Sequence, residues 1–582
     1  MREEGVKKTS NLKLQTWNLK LFGSMMRDEE ICTVDPRVRT FVRPSRVLWA
    51  VGATDAETLL GPRHGQVPEG AFYAGSGCLL ETDGIKPAAI LLDFGRELHG
   101  GLQLGCGGRS DRGMKVRVRF GESASEAMSE LGEKSSGNDH AIRDGVIDVP
   151  WLGTREIGMT GFRFVRIDLV TRGKLMLEFV RAVSLMRPMK QIGAFKCSDE
   201  RLTKIWETAV RTVHLCCQEH IWDGIKRDRL VWQGDMHPEV AAILSVFGGD
   251  SVVTASLDYM VATTPAGHWM NNKPSYTMWW LMCLRDYWRA TADRAYLERH
   301  LDYLKSTVSQ LVSCVNDDGS WLFPNGEQGF LDWPTQHNQP AVMAGMRGLY
   351  VWSLGAAIEL FEALGERAAV APCRKAITRL RKVKSSPEGA KSAAALLTLG
   401  GVRSARRMFD EVLGRGGVKG VSTFYGYYML EAMSVAGEDA FALKTVRDYW
   451  GGMLDAGATS FWEDFNIDWL KDSYRIDELP VPGKKDIHGD FGEFCYCGFR
   501  HSLCHGWSSG PATWLIRHVL GIRILEPGGA KVEVRPFLGE LDWAEGALAV
   551  PGGAVRVTVK RGKDGVPEVR VRAPKGVTIE GV

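Results

Sequence analysis

Residues 223–239, DGIKRDRLVWQGDMHPE, pack Asp223, Asp228 and Asp235 together with Arg227, Arg229 and Trp232. Charge of that density between two apolar helical stretches is costly unless it faces a wet cleft or a ligand. Carboxylates beside aromatics suit glycoside hydrolysis. One carboxyl must be protonated, to give a proton to the leaving oxygen, while a second must be ionised. The two need not be neighbours in sequence. The loop carboxylates that qualify are Asp223, Asp228, Asp235, Glu327, Asp332, Glu463 and Asp464. A loop carboxylate is more often a surface charge or a helix cap, and Asp235 stands where it could cap the next helix. Two groups rise above that background. The 223–235 cluster brings its carboxylates with Trp232 and two arginines. Glu463 follows Phe461 and Trp462 at the mouth of a long loop, 461–507.

These residues need elements to position them, and the chain supplies three kinds. From about 30 to 190 the pattern has a period of two. KVRVRFGE (115–122), GFRFVRIDLV (161–170) and LMLEFVRAVSL (175–185) alternate, with Gly-rich turns between them. This reads as an N-terminal antiparallel β-sandwich over 1–190, its first 30 residues or so a tail and its polar loop 123–145 mobile. Near Ser198 the period changes. Ser198 can cap a helix to about 222, with Asp199 and Glu200 in the first turn, and Leu202, Ile205, Trp206, Ala209, Val210 and Val213 recurring at three and four. A second helix spans 235–248. Ten more follow at 251–262, 275–291, 294–315, 339–364, 367–383, 388–400, 402–413, 425–436, 440–455 and 508–521. Twelve helices in six hairpins is the count of an (α/α)6 toroid, placed at 191–522. No 34- or 40-residue repeat argues for a solenoid. Beyond 522, KVEVRPF, AVRVTVKRG and EVRVRAP return to period two, so 523–582 reads as a small C-terminal β-sandwich that must pack on the helices. The fold class is therefore a central all-α (α/α)6 toroid flanked by two β-sandwiches.

Composition bounds the partners. The chain has 582 residues, 44% hydrophobic and 25% charged, with a net charge of +3. That length calls for several domains, and that charge gives no reason to expect nucleic acid or an acidic membrane as a partner. The N-terminus lacks the apolar core of a signal peptide and no run reaches about 18 apolar residues, so a cytoplasmic protein without a membrane span is expected. The twelve cysteines show no framework spacing and read as buried thiols. Cys495, Cys497, Cys504 and His505 do not make a paired metal motif, so neither metal nor cofactor is expected. Some of the nineteen tryptophans would serve as sugar platforms.

The motifs together resemble the α-L-rhamnosidases of glycoside hydrolase family 78. RDRLVWQGD (227–235) lies on the family's acid loop, Asp332-Trp333 on its D-W loop, Trp462-Glu463 on its W-E motif, and SLCHGW (502–507) on its S-L-N-H segment. The resemblance implies Asp228 as general acid and Glu463 as general base of an inverting hydrolase acting on terminal α-L-rhamnosides. It further implies substrate contacts from Asp223, Arg227, Trp232, Asp235, Tyr276, Asp332, Trp333, Trp462 and His505. The partner is then a carbohydrate; the chain could be a monomer or a homo-oligomer. Three features depart from the family. Asp stands at the acid position where Glu is commoner, Gly224 and Ile225 replace a Cys-Pro pair, and the stretch from Glu463 to His505 is longer than usual. A different toroid glycosidase or phosphorylase, or a non-catalytic sugar binder, are the alternatives. If Asp228 is an acid, an arginine bonded to it would hold it ionised. Both Arg227 and Arg229 are thus expected to point away from it or to pair with other carboxylates.

Overall fold

The computed structural model describes residues 34–61, 77–324, 329–494, 496–562 and 566–582. Glu327, Cys495 and the N-terminal tail expected over the first 30 residues lie outside them.

The N-terminal alternation produces one connected, nine-stranded antiparallel sheet rather than isolated hairpins. Its centre is two long strands, Ala89–Arg109 and Gly153–Leu169, paired with each other and flanked by Gly173–Met186 and Lys115–Gly121. The long pair bends where its register shifts, between Asp93/Leu98 and between Gly100/Leu102. Gly100 sits at φ +142°, and a Cβ there would come 1.9 Å from the Val183 carbonyl oxygen, so only glycine lets the third strand approach. Val165, Ile167 and Leu169 all turn into the core while Arg166 and Asp168 do not. The loop read as mobile is pinned down. Ser123 caps a helix at Ala124–Met128, and Arg143 donates to the Ser129 carbonyl at 3.0 Å. Short polar side chains compete for backbone groups there and give the loop a structure that hydropathy does not reveal.

The helical stretch follows the sequence pattern closely. The first helix, Glu200–Cys216, is capped by Asp199, whose carboxylate accepts from Arg201 and Leu202, and not by Ser198. Ser198 instead accepts from the Asp542 backbone. This helix ends at Cys216, six residues before the expected 222, because the next residues turn into the acid loop. The second helix runs Met236–Val246 and is buried on every side. Gln339–Leu364 packs against Pro274–Thr291, Arg367–Lys382 and Lys391–Leu399. It is 26 residues long and holds an 18-residue window of mean hydropathy 1.3, long and apolar enough to cross a membrane, but 78% of that window is buried inside the fold. That burial makes it a core helix. Three helices carry a π-turn, at Phe409–Leu413, Val446–Trp450 and Leu515–Val519.

At the C-terminal end, strands Trp543–Val550, Gly553–Arg561 and Pro567–Arg572 form a sheet whose fourth strand is Ala194–Cys197, contributed from before the first helix. A second small sheet joins Ile522–Ile524, Lys531–Val534 and Thr578–Glu580. The borrowed strand pairs across the boundary drawn at 522. A short sheet gains more from a fourth strand than the chain loses in closing a long loop, since loop-closure entropy grows only slowly with length. All ten cysteines among the described residues are free, and nine are buried.

Candidate active site

The acid loop begins where the Glu200–Cys216 helix stops. It closes on itself: the Leu230 amide donates to Asp223 Oδ1 at 2.9 Å, and the Asp223 amide donates to the Leu230 carbonyl at 3.1 Å. At its tip Asp228 and Arg229 both adopt left-handed backbone angles, φ +52° and +57°. Such conformations are strained for side-chain-bearing residues and mark places where structure serves a site. The loop is stitched to a distant segment by an antiparallel bridge between Gly224 and His505, and the Gly506 amide donates to the Asp223 carbonyl at 2.8 Å.

That second segment carries Glu463. Its amide donates to the Ser502 carbonyl at 2.9 Å, and the Ser502 amide returns a bond to Glu463 Oε2 at 3.1 Å. Thr423 and the Trp507 indole both donate to the Glu463 carbonyl. The main chain of Glu463 is thereby fixed from three sides, and the Ser502 amide holds its carboxylate. The N-terminal sheet braces this arrangement. Glu122 accepts from the Leu503 amide at 2.5 Å and from Ser502 Oγ at 3.3 Å. Lys226, in the acid loop, pairs with Glu122 at 3.0 Å and Glu126 at 3.3 Å and donates to the His501 carbonyl at 2.6 Å. Glu122, Glu126 and His488 lie close enough together to hold a metal ion. The Lys226 ammonium already supplies the cation there, and both His488 nitrogens have partners, Ser123 Oγ at 2.7 Å and the His501 carbonyl at 2.9 Å.

The carboxylates converge. His505 Nε2 lies 3.7 Å from Asp223, 3.9 Å from Asp235 and 3.7 Å from Glu463. These spacings exceed hydrogen-bond length. The four groups therefore keep bonding capacity for a polyhydroxylated ligand. Burial pushes Asp223 and Asp235 well above the usual carboxylate range, and the charges of their acidic neighbours, Asp228 and Glu463 among them, add to the rise. Burial pushes His505 well below its ordinary range, and the Arg227 charge adds to this, so its imidazole is neutral. Asp235 heads the Met236–Val246 helix but makes no side-chain cap bond. Its carboxyl is spent on the cluster, not on the helix.

The two arginines of the loop are engaged elsewhere. Arg227 pairs with Glu463 Oε1. Arg229 donates to the carbonyls of Met159, at 2.9 Å, and of His140. Neither bonds the Asp228 carboxylate, which instead meets the Trp232 indole N–H at 3.1 Å and His140 Nδ1 at 3.3 Å. Burial raises Glu463 from the usual range, while Arg227 works against that rise and favours the ionised form.

The aromatic residues fall into two groups. Trp232 stands edge-on to Tyr276, with centroids 6.2 Å apart, and Tyr276 in turn meets Phe330. Gly234 is needed here, since a Cβ would fall 2.1 Å from the Tyr276 ring. Trp333 is half-buried, edge-on to Phe330 and stacked on Phe494 at 5.9 Å. Trp462 is fully buried, edge-on to Phe465 and to His501, and its indole N–H has no hydrogen-bond partner among the described residues. Arg227 is likewise committed to Glu463, with its guanidinium over Tyr496 at 5.5 Å. Asp332 accepts from the Thr335 amide at 3.1 Å and faces Ser422, and burial pushes its carboxyl up to about 6. It lines, with Asp464, a cavity of about 890 Å³ beside the cluster.

Several residues here were not singled out by their sequence context. Glu239 is buried without a partner on either carboxylate oxygen, one helical turn from Asp235, and is pushed well above its usual range, chiefly by burial. His140 and Glu122 lie some hundred residues before the acid loop, in a different region, and nothing local marks them. Glu239 alone carried a signal: an acidic residue at i+4 from Asp235 on an otherwise apolar helix.

Residues 190–382 match the family described as the bacterial alpha-L-rhamnosidase six-hairpin glycosidase domain. The matched stretch holds the acid loop and Asp332-Trp333 but stops short of Glu463 and His505. No match was found among curated proteins. Among solved structures, the chain is similar to a family 78 rhamnosidase of Bacillus sp. GL1, with a TM-score of 0.72 and 20% identity over 88% of this chain and 55% of that one. It is similar to an alpha-L-rhamnosidase from Dictyoglumus thermophilum, with a TM-score of 0.69 and 16% identity over 94% and 59%. It is also similar to a rhamnosidase from Klebsiella oxytoca with rhamnose bound, with a TM-score of 0.63 and 21% identity over 83% and 96%. The chain spans a little over half the length of the first two. The expected fold class thus stands in its coarser form: residues 190–382 match a six-hairpin glycosidase domain, β-sheet regions flank it, and the chain has the fold seen in the family 78 rhamnosidase of Bacillus sp. GL1.

Proposed function

We propose that the protein hydrolyses terminal α-L-rhamnosides with inversion, Asp228 acting as general acid and Glu463 as general base. The observation that carries this is the unequal placement of positive charge: among the described residues Arg227 pairs with Glu463, while the Asp228 carboxylate meets the Trp232 indole and His140. A base must be ionised at the start of the cycle and an acid protonated. The Arg227 guanidinium beside Glu463 favours the ionised form that a base needs. Asp228 gives its proton to the glycosidic oxygen. Glu463 takes a proton from a water attacking the anomeric carbon on the opposite face, an arrangement that requires the carboxyls about 6.5–9.5 Å apart. Asp223, Asp235 and neutral His505 bond the sugar hydroxyls, and the Trp232, Tyr276 and Trp333 rings pack on the sugar's apolar faces. Aspartate in place of glutamate shortens the acid by one methylene, and the left-handed backbone at 228–229 offsets this by carrying the residue outward. Division into a sheet region to 190, a catalytic region to 522 and a C-terminal region is part of the same proposal, as is action in the cytoplasm.

The test is hydrolysis of a chromogenic α-L-rhamnoside beside a panel of other aryl glycosides, with the product anomer read by NMR. Release from the rhamnoside, with the β-anomer formed first, supports the reading. Release from another sugar alone, or retention of configuration, rejects it.

A further inference from the structure

We infer that His140, from the N-terminal sheet region, positions Asp228 and returns its proton after each turnover; the inference rests on the acid role proposed for Asp228. The segment 139–140 grips the acid loop at three points. The Asp228 amide donates to His140 Nδ1 at 3.3 Å, and the same nitrogen lies 3.3 Å from Asp228 Oδ1. Arg229 donates to the His140 carbonyl. From the far side Arg500 pairs with Asp139 and donates to His140 Nε2 at 3.1 Å. The two left-handed residues of the loop, Asp228 and Arg229, are the two that this segment holds. Strain of that kind persists only where the surroundings enforce it, and here the enforcing group comes from another region of the chain.

The ring is also placed to follow the acid's protonation. With Asp228 protonated, Nδ1 accepts from the Asp228 amide and Nε2–H faces Asp139 Oδ2 at 3.4 Å. With Asp228 ionised, Nδ1–H faces Oδ1 and Nε2 accepts from Arg500. Imidazole alone among side chains exchanges donor and acceptor roles in this way at neutral charge. Once Asp228 has protonated the leaving oxygen, the ring exchanges its Nε2 proton with solvent for one on Nδ1. Nε2 then takes a proton from water as the Nδ1 proton passes to Oδ1, so the ring stays neutral, and Glu463 returns to solvent the proton it took from the attacking water. A cavity of about 30 Å³ lined by Asp139, His140, Arg227 and Arg500 has room for a water at this point. The His140 side chain is 29% exposed, so the ring reaches solvent.

The experiment uses the full-length protein and aryl α-L-rhamnosides of graded leaving-group pKa. Acid assistance matters for poor leaving groups and hardly at all for dinitrophenolate. His140→Gln should lower kcat on the order of tenfold with phenyl rhamnoside, and within about twofold with the dinitrophenyl compound. Added imidazole should restore kcat in His140→Ala while leaving its melting temperature unchanged, which separates proton return from folding. An equal loss across all leaving groups, no loss at all, or no rescue by imidazole would overturn the role of His140 and leave the rhamnosidase reading intact. A wild-type protein that cleaves none of the rhamnosides would overturn both.

Discussion

Replacing Arg227 by methionine gives the sharpest test of the charge arrangement. Arg227 and Glu463 are both buried, their side chains 9% and 2% exposed. Exposed pairs contribute about 0–1 kcal/mol. Removing one member of a buried pair costs about 3–5 kcal/mol, because the other charge is left without a partner in a poor solvent. Glu463 escapes that cost by taking a proton. A penalty of about 3 kcal/mol, at about 1.4 kcal/mol per tenfold, means the acid dissociation constant of Glu463 falls by about a hundredfold. More of the base is then protonated, and kcat/KM on the acidic side of the profile should fall, by up to about that factor at its low-pH end. The acidic limb of the pH profile should move to higher pH, so activity partly recovers in alkaline buffer. The stability of the variant carries a matching sign. A carboxyl whose folded pKa lies above its unfolded value contributes no loss below the unfolded pKa and an increasing loss as pH rises toward the folded one. Glu463 is already raised by burial, and the substitution removes the main group opposing that rise. Melting of Arg227→Met should therefore lie near the wild type at pH 4 and well below it at pH 8. An acidic limb that stays in place, or an equal loss of stability at both pH values, would refute the pairing argument.

Other outcomes follow from the same geometry. Asp228→Asn and Glu463→Gln should each lower kcat by about 10²–10⁴-fold with melting unchanged within a few degrees, and near-normal turnover in either would remove that residue from the mechanism. Gly234→Ala places a methyl 2.1 Å from the Tyr276 ring; it should cost about 1–3 kcal/mol of stability and raise KM more than it lowers kcat, and an unchanged melting curve would show that the ring yields freely. Asp332, pushed up to about 6 from 3.8, penalises the ionised folded state above that pH. Asp332→Asn should thus leave stability unchanged at pH 3.5 and raise it by up to about 3 kcal/mol at pH 8, while weakening substrate binding; equal melting at pH 8 would mean the carboxylate is well solvated.

Much of the helical region could be read directly. Residues such as Leu202, Ile205 and Val213 recur on one face because a helix has a fixed pitch, and a helix of that amphipathicity has one way to be buried. The Asp199 cap and the early end at Cys216 escaped because neighbouring Ser198 and Asp199 can each cap, and the choice depends on Asp542, far along the chain. The sheet strand Ala194–Cys197 escaped for a related reason. Its partner is Trp543–Val550, and nothing within four residues states which distant edge they will join.

At the site the division is similar. The sequence by itself determined the acid loop, the D-W loop and Glu463, because unusual charge beside aromatics is costly to carry without use and so stands out locally. Only the tertiary structure decided which of those groups face one another. It buried Trp462, took Asp235 away from its helix cap and set Arg227 on Glu463. It also brought His140 and Glu122 from the N-terminal sheet onto the acid and base loops. Electrostatic and hydrogen-bond interactions act over a few ångströms regardless of sequence separation, so the groups that tune a carboxyl need share no local pattern with it.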